Sequence, residues 1–349
     1  MLTFTSFLIS FLVVLVTVPI FRRLAVRFKI LDLPNKRKIH LRATPLLGGV
    51  AIFLGLCAGM LYNFPQIKAF LPILIGASII LVVGLLDDIK KDSLSAKARL
   101  CVQLGVALLI ISTGLRISFL PDTLWGNITE ILITIFWIVG LINAYNYLDG
   151  MDGLAAGSAA INCLCLWIVL FGTGQYGVSL FAIILAGACF GFLPYNIKKA
   201  KIFLGDAGST LLGFLLACIG LAGNWAQDNI VKITIPILIL GVPIFDMIFT
   251  TIMRIKEEKI RTIIEWFEYA GKDHFHHYLV DVGLTPFGAV LFIYCITLSL
   301  GISAIMLAND SAFEAVLTLA QASIIFGIIA TLIVVGKRRH SGWKCGEKP

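Results

Sequence analysis

Charge is scarce in this chain. Only 14% of its 349 residues are Asp, Glu, Lys or Arg, against roughly 25% in soluble domains. So little polar surface cannot cover a water-exposed globule of this size. An ordinary soluble enzyme, a disordered chain and a coiled coil are excluded. Cysteine patterns are missing too. Eight cysteines are present, yet none forms a CxxC or a Cys/His metal spacing. Seven of them (Cys57, Cys101, Cys163, Cys165, Cys189, Cys218, Cys295) sit inside apolar runs, as small buried hydrophobes do, and Cys345 is in the tail. The first apolar run lacks an A-x-A cleavage site, and its basic residues follow it. It reads as a retained span and not as a signal peptide.

Long apolar runs are what the chain has in quantity, since 59% of its residues are hydrophobic. At about 20 apolar residues per crossing, the runs predict spans near 2–21, 45–62, 70–86, 99–113, 129–146, 154–171, 178–195, 208–223, 233–251, 286–307 and 312–335. The expected fold is an all-α integral membrane protein with about eleven transmembrane helices. A single polytopic catalytic domain would cover 1–335, with a basic cytoplasmic tail over 336–349.

The bases orient it. Arg22, Arg23, Arg27 and Lys29 follow the first span, which holds the amino terminus outside and sends the next loop into the cytoplasm. Eleven spans then leave the carboxyl terminus cytoplasmic. The cytoplasmic segments become 22–44, 87–98, 147–153, 196–207, 252–285 and 336–349. With the adjoining Arg99 they hold 25 of the 28 Lys and Arg residues, and only Lys68, Arg116 and Lys232 fall outside. One missed span would invert every later loop. The formal charge of +8 is therefore a collar on one face, suited to anionic headgroups and phosphates. Nucleic acid is not an expected partner, because no basic soluble domain exists to carry it.

The acids collect at the same face. Asp87 and Asp88 end the third span in GLLDDIKKD. Adjacent carboxylates repel, so a bound cation would relieve them. Asn143, Asn146, Asp149 and Asp152 recur every third residue in NAYNYLDGMDGLAAG. On one straight helix the four would spread over half the circumference. Gly150 and Gly153 suggest that the helix stops and the chain turns, letting both aspartates converge with the asparagines. Gly205 to Ser209 read GDAGS before the eighth span, a helix start where free N–H groups and glycines would admit a phosphate. Asp206 would repel that phosphate unless a metal stood between them, which makes it the best candidate for a Mg²⁺ ligand. Asp246 lies within the ninth span, where a carboxylate is costly.

Two cytoplasmic loops add donors. His274, His276 and His277 form an HxHH run after Asp273. The run could bind zinc, but no cysteine or fourth ligand is near, and imidazole donors to a phosphate fit better beside basic loops. In the first loop Lys36, Arg37, Lys38, His40 and Arg42 stand between Pro34 and Pro45, ahead of Gly48 and Gly49, which permit close helix packing. Mg²⁺ takes one or two carboxylates plus substrate phosphate oxygens. A metal-dependent transferase joining a soluble phosphate donor to a phosphorylated lipid fits this placement. A lipid-linked sugar transporter is the rival, with Asp246 the residue most compatible with it. A transporter would place its site near the midplane between repeats, and no halves repeat is evident.

PNKRKIHLRATPLLGG, GLLDD, NAYNYLDGMDGLAAG, FLGDAGS and DHFHH, in this order, closely resemble the polyprenyl-phosphate N-acetylhexosamine-1-phosphate transferases. The resemblance runs from about Leu31 to Leu284 and is nearest the branch that starts teichoic acid, O-antigen and common-antigen lipids. It implies a multi-pass enzyme of the bacterial inner (cytoplasmic) membrane. It implies a reaction in which a UDP-N-acetylhexosamine, UDP-GlcNAc above all, and undecaprenyl phosphate give undecaprenyl-diphospho-sugar and UMP. A different UDP-sugar donor is the alternative. The resemblance associates Asp206 and Asn146 with Mg²⁺ (Mn²⁺ as a substitute), and Asp87 and Asp88 with the metal and acceptor phosphate as catalytic residues. Asp149, Asp152 and Asn143 fall on the nucleotide side. His274, His276, His277, Gly205, Ser209, Arg37, His40 and Arg42 fall around the phosphates and sugar. Tyr278 departs from the pattern, since many relatives carry a basic residue after the histidines. A homodimer is implied by resemblance alone.

Overall fold

A computed structural model describes residues 2–34, 43–90, 94–262, 265–266, 269, 271, 273–308 and 311–346, with backbone alone at 64–66 and 336–346. The described residues are almost wholly helical. In chain order they form α1 (Leu2–Arg27), α2 (Gly48–Tyr62), α3 (Phe64–Ile89), α4 (Ala96–Ser112) and α5 (Leu124–Leu148). Then come α6 (Leu154–Gly172), α7 (Tyr176–Asn196), α8 (Gly205–Ala222), α9 (Asn229–Ile239) and α10 (Gly241–Lys256). α11 (Phe275–Asp281), α12 (Pro286–Leu307) and α13 (Ala312–Gly346) follow. Among the described residues the strands are confined to a two-residue antiparallel ladder, β1 (Leu31–Asp32) with β2 (Thr44–Pro45). It closes the base of the first loop, where no hydrophobic alternation announces a strand.

Among the described residues eight helices are long and apolar enough to cross a membrane, and a bent pair makes up to nine. Each of the eleven expected segments falls on a helix or on that pair, but not all have span length. α2, with 15 residues, rises about 22 Å, and α4, with 17, about 25 Å, short of a hydrocarbon core of about 30 Å. The expected straight span over 233–251 is instead α9 and α10 meeting at 78°. Pro243 explains the break: it has no N–H to give Ile239, and its ring clashes with that carbonyl.

α6, α7 and α8 are the most enclosed helices, while α1 and α13 show most of their surface. α8 packs between α3 and α5, α1 lies along α7 and α2, and α12 rests on α6 and α9. Small residues set these distances. A Cβ added to Gly49 would fall on the backbone of Gly208, so the start of α2 touches the start of α8, as the Gly48-Gly49 pair suggested. The same end is sewn together by backbone bonds. Phe203 N–H donates to Pro45 O (2.8 Å), and Gly48 and Gly49 N–H donate to Phe203 and Leu204 O (3.0 and 3.1 Å). Unsatisfied backbone groups are costly in a bilayer. These bonds let irregular chain persist beside the entry to α8. Lys68, Arg116 and Lys232 lie at the opposite helix ends.

Candidate active site

The carboxyl ends of α3 and α5, the amino ends of α4 and α8, and the chain leading into α11 meet around one cleft of about 310 Å³. Asp87, Arg99, Gln103, Asn143, Asn146, Tyr147, Asp149, Asp206, His274, His276 and His277 line it. Polar residues separated by up to 190 positions thus share one pocket at the end of the bundle that carries most of the bases.

The two adjacent aspartates of α3 part company. Successive helical residues point about 100° apart. Asp87 faces the cleft, where Arg99 Nη1 donates to its Oδ2 at 2.8 Å. Leu94 N–H reaches its other oxygen at 3.4 Å. Asp88 turns to α8 and accepts the backbone N–H groups of Asp206 (2.9 Å) and Ala207 (3.1 Å). Separate partners relieve the repulsion between them.

Asp206 sits in the first turn of α8 with its side chain about half exposed. Asn146 Nδ2 donates both to Asp206 Oδ1 (2.9 Å) and to Ser209 Oγ (3.0 Å). The amide nitrogen is thereby engaged, and the Asn146 oxygen has no hydrogen-bond partner among the described residues. Arg99 stands 3.9 Å from Asp206 Oδ2, a longer contact than its pair with Asp87. Gly205 adopts φ +72, and its open side is taken by the Asp88 carboxylate, where the GDAGS pattern suggested a phosphate. Ser209 is buried and donates to Gly205 O (3.0 Å), so both hold the turn from behind the lining.

α5 ends where the glycines suggested. Asp149 is its C-cap, and Gly153, at φ +79, starts the turn into α6. Asn143 donates to Gln103 Oε1 (2.9 Å) on α4 and to Val139 O (2.7 Å). Burial holds the Asp149 carboxyl well above the usual carboxylate range, and Asp206, Asp88 and Asp152 push the same way. The expected convergence of Asp152 does not occur. The turn carries it past the lining, and its carboxylate accepts Ala200 N–H (2.8 Å), bracing the loop that leads to α8.

The histidine segment hangs on a buried charge network. Arg254, 1% exposed, donates from Nε and Nη2 to the two oxygens of Asp273 (3.0 and 2.9 Å). Its guanidinium lies between Tyr147 and Tyr269, 5.5 and 4.8 Å from the ring centres. It also meets His274 Nε2 at 3.2 Å. A guanidinium only donates, so that nitrogen accepts and Nδ1 carries the proton, facing Asp246 Oδ2 at 3.5 Å. Asp246 Oδ1 takes the Phe275 N–H (2.6 Å) and the Thr250 hydroxyl (3.1 Å). Asp246 therefore anchors the histidine segment and marks no midplane transport site.

Both nitrogens of His274 face protein groups. Those of His276, fully buried, have no hydrogen-bond partner among the described residues. Burial pushes the His276 imidazole down to about 3, and His277 beside it adds to the effect. The ring presses against Gly150, where any Cβ would collide with it. Tyr278 points elsewhere, edge-on to Phe249 in the core. Arg37, His40 and Arg42 lie outside the described residues.

Charge counting hid several lining or supporting residues. In the sequence Arg99 counts as one more base of the positive collar, yet a base in the first turn of a helix opposes the helix dipole, which is a usable signal. Gln103 follows one turn later on the same face. Asp246, Thr250 and Arg254 recur at intervals of four, the spacing of one helix stripe. Tyr147 and Tyr269 carried no signal at all.

Among the described residues, Asp87, Asp149 and Asp206 crowd three carboxylates around one cleft, with Arg99 the cation that pairs with them. Among the described residues no three His, Cys, Asp or Glu side chains close into a ready-made metal cage. A divalent ion that takes one or two carboxylates and fills its remaining positions with water and phosphate fits this donor set. Asp206 and the Asn146 oxygen could hold it.

The glycosyl transferase family 4 model matches residues 70–224, the stretch from α3 to α8. A Bacillus subtilis (strain 168) protein named "Probable undecaprenyl-phosphate N-acetylglucosaminyl 1-phosphate transferase" is 37% identical over 334 residues, covering 93% of this chain and 90% of that one. The decaprenyl-phosphate N-acetylglucosaminephosphotransferase of Mycobacterium tuberculosis (H37Rv) is 30% identical over 357 residues, covering 91% and 85%. The undecaprenyl-phosphate alpha-N-acetylglucosaminyl 1-phosphate transferase of Escherichia coli K12 is 27% identical over 286 residues, covering 78% and 75%. Near-complete coverage includes the histidine segment beyond the family model. The chain belongs to the glycosyl transferase family 4 of polyprenyl-phosphate N-acetylhexosamine-1-phosphate transferases.

Proposed function

We propose that the protein transfers N-acetylglucosamine 1-phosphate from UDP-N-acetylglucosamine to undecaprenyl phosphate in a bacterial inner membrane. The convergence of Asp87, Asp149 and Asp206 from three helices on one cleft carries this reading. The names of the relatives favour it too. We further infer eleven crossings, with the amino terminus outside and the cleft facing the cytoplasm. The two short helices α2 and α4 then count as crossings, and α9 with α10 as one.

An oxygen of the lipid phosphate attacks the sugar-bearing phosphorus of the donor. The bond from that phosphorus to the bridging oxygen breaks, and UMP leaves with that oxygen. A phosphate monoester has a second pKa of about 6, so the acceptor is already largely dianionic at neutral pH. No strong base is needed. Asp87, held by Arg99, orients the acceptor or receives a residual proton, and Arg99 offsets charge on the phosphates. His276 and His277 approach the diphosphate from the opposite wall, and Asn143 and Asp149 face the nucleotide. Bound Mg²⁺ would neutralise the diphosphate and the leaving UMP, held by Asp206 and Asn146. A panel of UDP-sugars incubated with undecaprenyl phosphate and purified protein tests the assignment by mass spectrometry of the lipid. A product heavier by N-acetylhexosamine phosphate, formed best from UDP-GlcNAc, is expected. A lipid unchanged with every donor contradicts it.

A further inference from the structure

We propose that Asp88 is a positioning residue that fixes Asp206 by capping α8 from the neighbouring helix α3, and that it neither moves a proton nor binds metal. The proposal rests on the transferase reading for its consequence, though not for its geometry.

The first N–H groups of a helix have no partner within it. At α8 the N-cap residue Leu204 offers no side-chain acceptor. Asp88 fills that role from outside. One of its oxygens takes the N–H of Asp206 at 2.9 Å and the other that of Ala207 at 3.1 Å. The first of these bonds holds the very residue that offers its carboxylate to the cleft. Asp88 is 9% exposed and does not line the cleft, whereas its neighbour Asp87 does.

Two glycines are shaped around this contact. Gly205 adopts φ +72, and any Cβ there would run into the Asp88 carboxylate. Gly84, one turn earlier on α3, lies so close to α8 that a Cβ would stand 2.5 Å from Ala207 Cα. Backbone contact at Gly84 sets the separation of the two helices, and the gap at Gly205 admits the carboxylate. The adjacent acids thus divide their tasks: Asp87 meets the cleft, and Asp88 aims Asp206.

Asp88→Asn exchanges one acceptor oxygen for an NH₂ group that cannot accept an N–H. Gly205→Ala pushes the same carboxylate aside. Binding of Mn²⁺ to purified protein with UMP, followed by electron paramagnetic resonance, reads the effect without turnover. Each variant should bind Mn²⁺ about tenfold more weakly, the low end for losing a group that orients a metal ligand. The double variant should be no weaker than the worse single one, since both remove one contact. At saturating Mg²⁺, Asp88→Asn should keep the wild-type pH profile of UMP release. Additive losses, wild-type Mn²⁺ affinity in Asp88→Asn, or a pH limb lost with Asp88 would each overturn the proposal. If Asp88→Asn does not fold, Gly205→Ala and Asp88→Glu carry the test. Asp88→Glu keeps both acceptor oxygens and should bind Mn²⁺ better than Gly205→Ala; the reverse order contradicts the capping role. Wild-type protein that binds Mn²⁺ but releases no UMP would sink the transferase reading and leave this placement intact.

Discussion

Replacing Arg254 by Met should loosen the histidine segment without unfolding the bundle. Arg254 donates to Asp273 twice and meets His274 Nε2 once, at 3.0, 2.9 and 3.2 Å. Methionine keeps an unbranched side chain between Tyr147 and Tyr269 but removes every donor. Asp273, 4% exposed, is left with only the longer contact to Lys259 Nζ at 3.9 Å. Breaking such a pair costs about 3–5 kcal/mol. The loss falls on the chain around α11, which can open on its own. At about 1.4 kcal/mol per tenfold, amide exchange over 273–284 should quicken by about two to three and a half orders of magnitude. Hydrogen–deuterium exchange of detergent-solubilised protein, read by mass spectrometry, measures this directly. UMP release should fall with it, because His276 and His277 lose their support. Asp273→Leu in the Arg254→Met background should recover part of the protection, since no lone charge is then buried. Wild-type exchange over this segment with wild-type turnover in Arg254→Met would refute the role given to the network.

Three further outcomes follow from the geometry. Asp206→Asn should abolish transfer and Mn²⁺ binding while the melting temperature stays near wild type; activity at low Mg²⁺ in that variant removes Asp206 from the metal. The fold keeps His276 neutral, so the unfolded chain takes up a proton first as the pH falls. Stability present above pH 6.5 should then be lost on the way towards pH 3, by up to about 1.4 kcal/mol per unit. His276→Gln should flatten the fall in melting temperature between pH 6.5 and 4.5, and an unchanged slope contradicts the assignment. Asp149 has the opposite sign: its raised pKa means that folded stability is lost as the pH climbs through that value. Asp149→Asn should raise the melting temperature of metal-free protein at pH 7.5, by about 2–4 °C for each kcal/mol relieved, while slowing UMP release. A lower melting temperature there would mean that Asp149 is not crowded.

Hydrophobic runs made the helices legible, because about 20 apolar residues have one common use in a bilayer. Their lengths were less so. α2 and α4 are apolar for only part of a crossing, and the turn at Leu240 needed Pro243 to be weighed as a breaker and not as a tolerated kink. At the site, Asp87, Asn146, Asp149, Asp206 and His276 were visible as costly polar residues at helix ends. Direction was not visible. Asp88 and Asp152 belong to the same motifs as Asp87 and Asp149, yet one caps α8 and the other braces Ala200. Those outcomes depend on which backbone lies opposite. Arg99 and Arg254 were hidden by their abundance, since every cytoplasmic loop carrying bases explains one more arginine at no cost. Gln103, Tyr147 and Tyr269 owe their place to packing between helices distant in sequence.

UMP release from purified protein, with each component omitted in turn, tests the central assignment most directly. UMP should form only when UDP-GlcNAc, undecaprenyl phosphate and Mg²⁺ are present together, and Asp206→Asn should form none. Movement of lipid-linked sugar across a vesicle membrane without UMP release, or UMP release that ignores the lipid, would contradict it.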